Sequence, residues 1–418
     1  MRRLLISIAL IGVWPSLAFA VTLNVPCTSG VGFSLCKQFS EEWASNSGNN
    51  VRIVTVPSST TNKLALYQQI LAAGSADLDV YDLDVIWPGI LGDHFIDLRP
   101  YTHGAEKRHF VAIVANDTYK GRLIAMPFNT GAGLLYYRKD LLKKYHLPVP
   151  RTWEELTVIA GRIQKLERAA GHKKMWGFVF QGKAYEGLTC DALEWVDSFG
   201  GGTIVDRAGN ITIDNPRAAE AFDLAASWIG TISPTGVLNY AEEDARGVFQ
   251  SGNAVFMRNW SYAWALGNAP GSVIAGKIGV TALPKGPGPE GKPSGTMGGW
   301  QYGVSKYSPH PAIAASYVMF MTSAPVQKIY AVKMATPPTI KSLYKDKDVL
   351  AANPFFGQVY DALFTAVARP SSVTGVKYNR VSSEFWNAAH RVMTHRMTGE
   401  AAVADLKRRL ERAKRRAW

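Results

Sequence analysis

"VRIVTVPSSTTNKLALYQQILAAGSADLDVYDLDVIW", residues 51–87, changes rhythm three times, and those changes decide the fold. VRIVTVP (51–57) alternates apolar and polar positions and is rich in β-branched residues, the pattern of a half-buried strand. From 60 to 73, Leu64, Tyr67, Ile70 and Leu71 recur at helical spacing, and Gly74 stops the helix. DVYDLDVIW (79–87) is again a strand. Strand, helix and strand in succession argue for βαβ units and a largely parallel sheet, hence an α/β protein.

The same alternation extends in both directions. Upstream, VTLNVP (21–26) reads as a strand, followed by a Gly/Ser turn and a helical pattern through Phe39 and Trp43. Downstream, GLLYYRKDLLKKY (133–145) runs from strand into helix. RTWEELTVIAGRIQKLERAAG (151–171) predicts a helix with a capping box of Thr152 and Glu155, an apolar face of Leu156, Ile159, Ile163 and Leu166, and a stop at Gly171. WGFVF (176–180) is a strand; residues 214–230 form a helix capped by Asn215 with Pro216 in its first turn. EEDARGVFQSGNAVFMRNW (242–260) reads as a helix, a break at Gly252 and a short strand leading into Trp260. A Pro/Gly loop (284–293) precedes a helix-rich C-terminal third.

The first 20 residues, MRRLLISIALIGVWPSLAFA, have the three-part build of a secretory signal: two arginines, an apolar run, and small residues at Ala18 and Ala20. The apolar run is short of the roughly 20 residues a membrane span needs, so cleavage after Ala20 and an exported chain are expected. The mature chain, residues 21–418, exceeds what one core usually holds, so two lobes are expected. The formal charge is +13, with 47% hydrophobic and 19% charged residues, an ordinary globular balance. Loss of Arg2 and Arg3 would leave +11, of which KRRLERAKRR (407–416) carries +6. That tail reads as an amphipathic helix burying Leu406 and Leu410. The excess charge therefore does not point to nucleic acid.

Cys27 and Cys36, nine apart, suit a disulfide in an oxidising compartment, and Cys190 is expected to be a free buried thiol. Zinc is the competing reading of the close pair, but neither CxxC nor a histidine cluster accompanies it. GPGPEG (286–291) matches a dinucleotide-loop spacing, yet its prolines bar it from opening a helix. There is no GxxxxGK[ST], HExxH or GxSxG. No metal and no cofactor are expected. An exported glycosidase would need two carboxylates across a sugar, for which Asp84 with Glu186 or Asp191 can be nominated.

More informative is where the aromatic residues fall. FMRNWSYAWALG (256–267) sets Trp260, Tyr262 and Trp264 just past a strand, and Trp300 follows the glycines of GTMGGW. Asp84 ends its own strand. In open α/β sheets such strand ends are where ligands bind. Flat aromatic faces beside Asp, Asn and Arg form a sugar-binding composition, with rings for the pyranose face and polar groups for its hydroxyls.

GLLYYRKDLLKKY (133–145), WGFVFQGKAYEGLTCDALEWVDSFGG (176–201), GVFQSGNAVFMRNWSYAW (247–264) and MGGWQYGVSKYS (297–308) resemble the trehalose/maltose-binding proteins of ABC importers. These belong to the extracellular sugar-binding proteins that include the maltodextrin binders. The resemblance covers nearly the whole mature chain. It implies a two-lobed periplasmic-binding-protein fold (type II) with one ligand in the cleft. The lobes would be residues 21–129 with about 303–345, and about 130–302 with 346–418. By motif, Asp84 would hold sugar hydroxyls, Trp260, Tyr262, Gly299 and Trp300 would form the stacking and backbone wall, and Arg369 would donate to hydroxyls.

Two departures are visible. Where relatives show an aromatic residue and an acid before the YYRKD segment, this chain has Asn129 and Gly131. Where they carry a glutamate near Cys27, it offers Ser29, Gly30, Gly32 and Ser34. The implied function is a non-enzymatic periplasmic monomer carrying trehalose, maltose or a related disaccharide to importer permease subunits and their ATPase. A glycerophosphodiester is the alternative ligand.

Overall fold

In a computed structural model of the chain, which describes residues 20–357, 359, 360 and 366–418, the first strand–helix–strand unit lies where the periodicity puts it. The expected leader, apart from Ala20, is outside the described residues. Strands β1 (Thr22–Thr28) and β2 (Asn50–Val56) pair in parallel across the helix Phe33–Ser47. The helix Thr60–Ala72 then leads to β3 (Val80–Asp84). Leu23, Val25, Phe39 and Trp43 are buried in this unit, as the alternating pattern requires.

Beyond it the sheets are not largely parallel. The hairpin β4 (Thr118–Tyr119) and β5 (Arg122–Leu123) precedes β6 (Met126–Ala132). The next strands are β7 (Leu134–Arg138), β8 (Trp176–Val179), β9 (Ala254–Asn259), β10 (Ile278–Ala282) and β11 (Met297–Val304). β11 lies between β3 and β6 and is antiparallel to both. In the other large sheet, ordered β10-β7-β9-β8, only β8 and β9 are parallel. The reason is connectivity: strands that return from a distant part of the chain need no crossover helix, so local strand–helix rhythm does not fix their direction.

The buried side chains gather in two bodies. One is built from segments within 21–128 and 297–334, joined by Tyr378, around Val80, Tyr302 and Tyr317. The other packs Trp153, Trp195, Trp228 and Phe385 over the second large sheet. The chain passes between them from β6 to β7, from β10 to β11, and again after the helix Ala324–Met334.

Local signals held with two adjustments. Thr152 accepts the Glu155 N–H at 3.1 Å, but Glu155 accepts the N–H of Arg151 (2.7 Å) rather than that of Thr152. Glu167, not Leu166, continues the buried face of Leu156, Ile159 and Ile163 in the helix Trp153–Ala169. Eleven residues from Leu156 make three full turns and ten do not. Asn215 caps the helix Pro216–Trp228 through the Ala218 N–H, and Gly252 takes a positive φ of 80° just before β9. In the C-terminal helix Gly399–Lys414, Leu406 and Leu410 are fully buried, and the Trp418 indole donates to the Gly209 carbonyl at 2.8 Å. The basic tail is thus packed against the body. Among the described residues no helix is long and apolar enough to cross a membrane.

Cys27 and Cys36 form a disulfide with Cα atoms 5.8 Å apart, joining the end of β1 to the helix after it, and Cys190 is free and buried. The bond closes a short loop, so its removal frees little chain. Replacing both cysteines by serine should lower unfolding free energy by about 2–3 kcal/mol. A denaturant melt checks this, and a change below about 0.5 kcal/mol would show that the surrounding packing alone fixes the turn.

Candidate functional site

The antiparallel register of β11 places three of the nominated residues on one rung. Trp300 lies opposite Asp84 of β3 on one side and Asn129 of β6 on the other. A bulge between Trp300 and Gln301 shifts the register immediately afterwards. One rung away Gly299 faces Thr130, and Gly298 faces Gly131. Gly299 has φ +148°, and a Cβ there would stand 2.6 Å from the Asn129 carbonyl oxygen, so only glycine fits. At Gly131 an added Cβ would meet nothing within 4 Å, so there is open space beside this position.

Gly30 occupies the turn after β1, exposed and at φ 89°. It lies two residues past Thr28, whose hydroxyl donates to Asp82 at 2.9 Å. That bond aligns the ends of β1 and β3, so Gly30 belongs to the same edge as Asp84. Below the edge, Lys63 is fully buried. It donates to Thr28 Oγ1 (2.6 Å) and Asp82 Oδ2 (2.7 Å), and its ammonium lies 4.0 Å from the Trp300 ring centroid. Trp87 meets Trp300 edge-on at 5.6 Å.

The second wall comes from the end of β9. The Trp260 N–H is held by Asn259 Oδ1 at 2.8 Å, and the Tyr136 hydroxyl donates to the Trp260 and Ser261 carbonyls at 2.8 and 3.0 Å. A Cβ on Gly298 would come within 2.9 Å of Trp260 Cζ3, so this indole lies against the β11 backbone. The three aromatic residues of this turn then part company. Trp264 donates its indole N–H to the Ala352 carbonyl (3.1 Å) and packs on Phe355, which makes it a packing residue. Tyr262 donates to Glu243 at 2.5 Å, and burial, reinforced by Glu243, pushes its phenol well above the usual range. Trp260 and Trp300 are only half-buried, and among the described residues neither indole N–H has an acceptor.

Arg369 joins the two bodies. Its guanidinium donates to Asp84 Oδ1 at 3.1 Å, to Glu186 Oε1 at 2.8 Å and to the Met297 carbonyl at 3.3 Å. Glu186, at the start of the helix Glu186–Ser198, also accepts from Tyr378 (2.5 Å) and Ser382 (2.7 Å). Burial raises the Glu186 carboxyl above its ordinary value, with Arg369, Tyr378 and Ser382 opposing that rise. A second buried arginine, Arg258, is gripped by Glu194 and Asp191 beneath Trp260.

Asp84, Asn129, Gly131, Gly299, Trp300, Trp260 and Arg369 are therefore brought together, with Gly30 at the rim and Tyr262 engaged by its own body. Sequence reasoning missed Lys63 and Arg258. Lys63 had a legible signal, because it stands at helical spacing from Tyr67 and Leu71 on a buried stripe. Two surface cavities of about 360 and 670 Å³, one lined by Asp197 and Glu290 and the other by Pro148 and Pro284, lie apart from all these residues. Among the described residues no group of three or more His, Cys, Asp or Glu is arranged to hold a metal.

The sequence model of the bacterial extracellular solute-binding protein family matches residues 35–328. A probable ABC transporter-binding protein of Deinococcus radiodurans is 53% identical over 406 residues, 96% of each chain. The structure of maltose-bound MalE3 of T. maritima superposes with a TM-score of 0.87 at 38% identity, covering 94% of this chain and 99% of that one. A ribitol-bound ABC transporter solute-binding protein of Agrobacterium radiobacter K84 has a TM-score of 0.82 at 22% identity, covering 94% and 98%, a likeness of fold alone. The fold is thus the two-lobed binding-protein fold that the motifs implied.

Arg369 compensates two buried carboxylates at once, so Arg369→Met should be costly. An unfolding free energy lowered by about 3–5 kcal/mol is expected, read from a urea melt without ligand. A loss below about 1 kcal/mol would mean that water reaches Asp84 and Glu186 and that the triad is not structural.

Proposed function

The chain belongs to the bacterial extracellular solute-binding proteins, and from that premise we propose that it delivers an uncharged disaccharide, maltose, trehalose or a relative, to an ABC importer. One observation carries the reading: Trp260 and Trp300, from different bodies, are half-buried beside the Asp84–Trp300–Asn129 rung, and among the described residues their indole N–H groups have no acceptor. An indole face takes the apolar face of a pyranose, and the rung offers carboxylate and amide groups to its hydroxyls.

Charge favours a neutral ligand. The buried cations Lys63, Arg258 and Arg369 are each held by carboxylates, namely Asp82, the pair Asp191 and Glu194, and the pair Asp84 and Glu186. With each of these cations already engaged by carboxylates, none is left to draw a phosphodiester, and the positive excess of the chain is concentrated in the C-terminal helix instead. The hydrolase alternative is weakened by the same contacts. Asp84 and Glu186 share one guanidinium, and Glu186 already takes hydroxyl bonds from Tyr378 and Ser382, which leaves it poorly placed to protonate a leaving group.

In this reading the chain is exported, loses residues 1–20 after Ala20, and works as a periplasmic monomer. Its two lobes close on the sugar and present it to permease subunits served by an ATPase, with all of β11 (Met297–Val304) paired into the first body rather than divided near residue 302.

Titration with a panel of sugars should change intrinsic tryptophan fluorescence and raise the melting temperature, with no glucose released from any disaccharide. Turnover would overturn the carrier reading. Trp260→Ala should weaken binding by about 2 kcal/mol or more while the fold survives. A stability loss of about 3–5 kcal/mol with near-normal affinity in the folded fraction would instead make Trp260 a core residue.

A further inference from the structure

We propose, resting on the sugar-site reading above, that Lys63 and Arg258 are positioning residues, each fixing one stacking indole from behind. Both are buried, Lys63 at 0% exposure and Arg258 at 1%. Lys63 Nζ lies 4.0 Å from the Trp300 centroid, and the Arg258 guanidinium carbon 4.1 Å from that of Trp260. A cation is drawn to the negative face of an aromatic ring, and the attraction grows when both are withdrawn from water. Because each cation takes the buried side, the opposite face of each half-buried indole is the one left for a ligand.

The cations are themselves immobilised. Lys63 has three N–H groups: one goes to Thr28 Oγ1, one to Asp82 Oδ2, and the third is left for the ring. Asp82 is held in turn by Tyr67. Arg258 sends Nε to Glu194 Oε2 at 2.8 Å, Nη2 to Glu194 Oε1 at 2.5 Å and Nη1 to Gln181 at 3.0 Å, and Asp191 lies 3.0 Å from Nε. A guanidinium held in this plane can stack flat on an indole, which an ammonium cannot do.

Neither cation is free to meet the sugar. Their effect is on the rings, which keep one orientation before ligand arrives and lose little rotamer freedom when it binds. An apolar neighbour would fill the same space without favouring one ring tilt. The two walls share this device although they come from different bodies and use different cations.

The experiment uses the full mature chain labelled with 5-fluorotryptophan, the fluorine lines of Trp260 and Trp300 being assigned through Trp260→Phe and Trp300→Phe. In the ligand-free protein each should give one narrow line. In Lys63→Met/Asp82→Asn, where both charges leave together, the Trp300 line should broaden or split and the Trp260 line stay in place. Maltose affinity should fall about tenfold while the thermal melt stays close to that of the parent. Arg258→Lys, which keeps a cation but loses the plane, should move the Trp260 line alone. Multiple lines for either residue in the ligand-free parent overturn the proposal, and so does an unchanged Trp300 line in the double variant. The parent line widths decide the matter even where a variant does not fold. If no sugar binds the parent while the lines behave as described, the positioning stands and the sugar reading falls.

Discussion

The pairing of β11 with β3 and β6 is the constraint on which the rest depends. A strand from residues 297–304 enters a sheet whose other members end by residue 132, and it runs antiparallel to both. The first body is therefore incomplete until most of the chain is in place, a non-local closure that costs loop entropy before any contact rewards it. The same insertion sets Trp300 between Asp84 and Asn129, threads Gly298 under Trp260, and brings the Met297 carbonyl to Arg369. Glycine at 298 and 299 is a packing requirement at that crossing, since a Cβ at either would strike Trp260 or the β6 backbone. Fold and site are the same feature here.

Around that strand the protein buries three cations, Lys63, Arg258 and Arg369, each beside carboxylates. Replacing a buried ion pair by apolar residues is often neutral or stabilising, so stability alone does not explain Arg258, Arg369 and Lys63. What such groups provide is direction. A carboxylate-held guanidinium has one orientation, and Arg369 applies that to the contact between bodies, tying Asp84 to Glu186. Because every cation is partnered, none is left unpaired to attract a phosphate.

How much of this was legible depends on distance along the chain. The rhythm of 51–87, the Asn215 cap, the Gly252 break, the Cys27–Cys36 bond and the strand-end positions of Asp84 and Trp260 are all local patterns, and the structure carries them. Sheet direction was misread because 212 residues lie between Asp84, the end of β3, and Met297, the start of β11, and no periodicity records which strand β11 will join. The long motifs supplied what periodicity could not, naming Trp300, Arg369 and Asn129 without saying why they meet. Lys63 escaped because a lysine at a core-facing helical position is easily taken as solvated, and Arg258 because it follows an apolar run that reads as ordinary strand.

The turn after β9 shows why composition alone could not sort its aromatic residues. Trp260, Tyr262 and Trp264 look equivalent in sequence, yet each is decided by what its polar atom finds. Trp264 finds the Ala352 carbonyl and becomes packing, and Tyr262 finds Glu243 and braces its own body. Among the described residues the Trp260 indole finds no acceptor, and its backbone is instead fixed by Asn259 and Tyr136. A half-buried indole with a rigid backbone, a cation behind it and an unspent N–H leaves hydrogen-bonding capacity unused inside the protein. Of the three aromatic residues, Trp260 alone keeps an N–H that no acceptor among the described residues takes, which is what the proposed sugar wall requires of it.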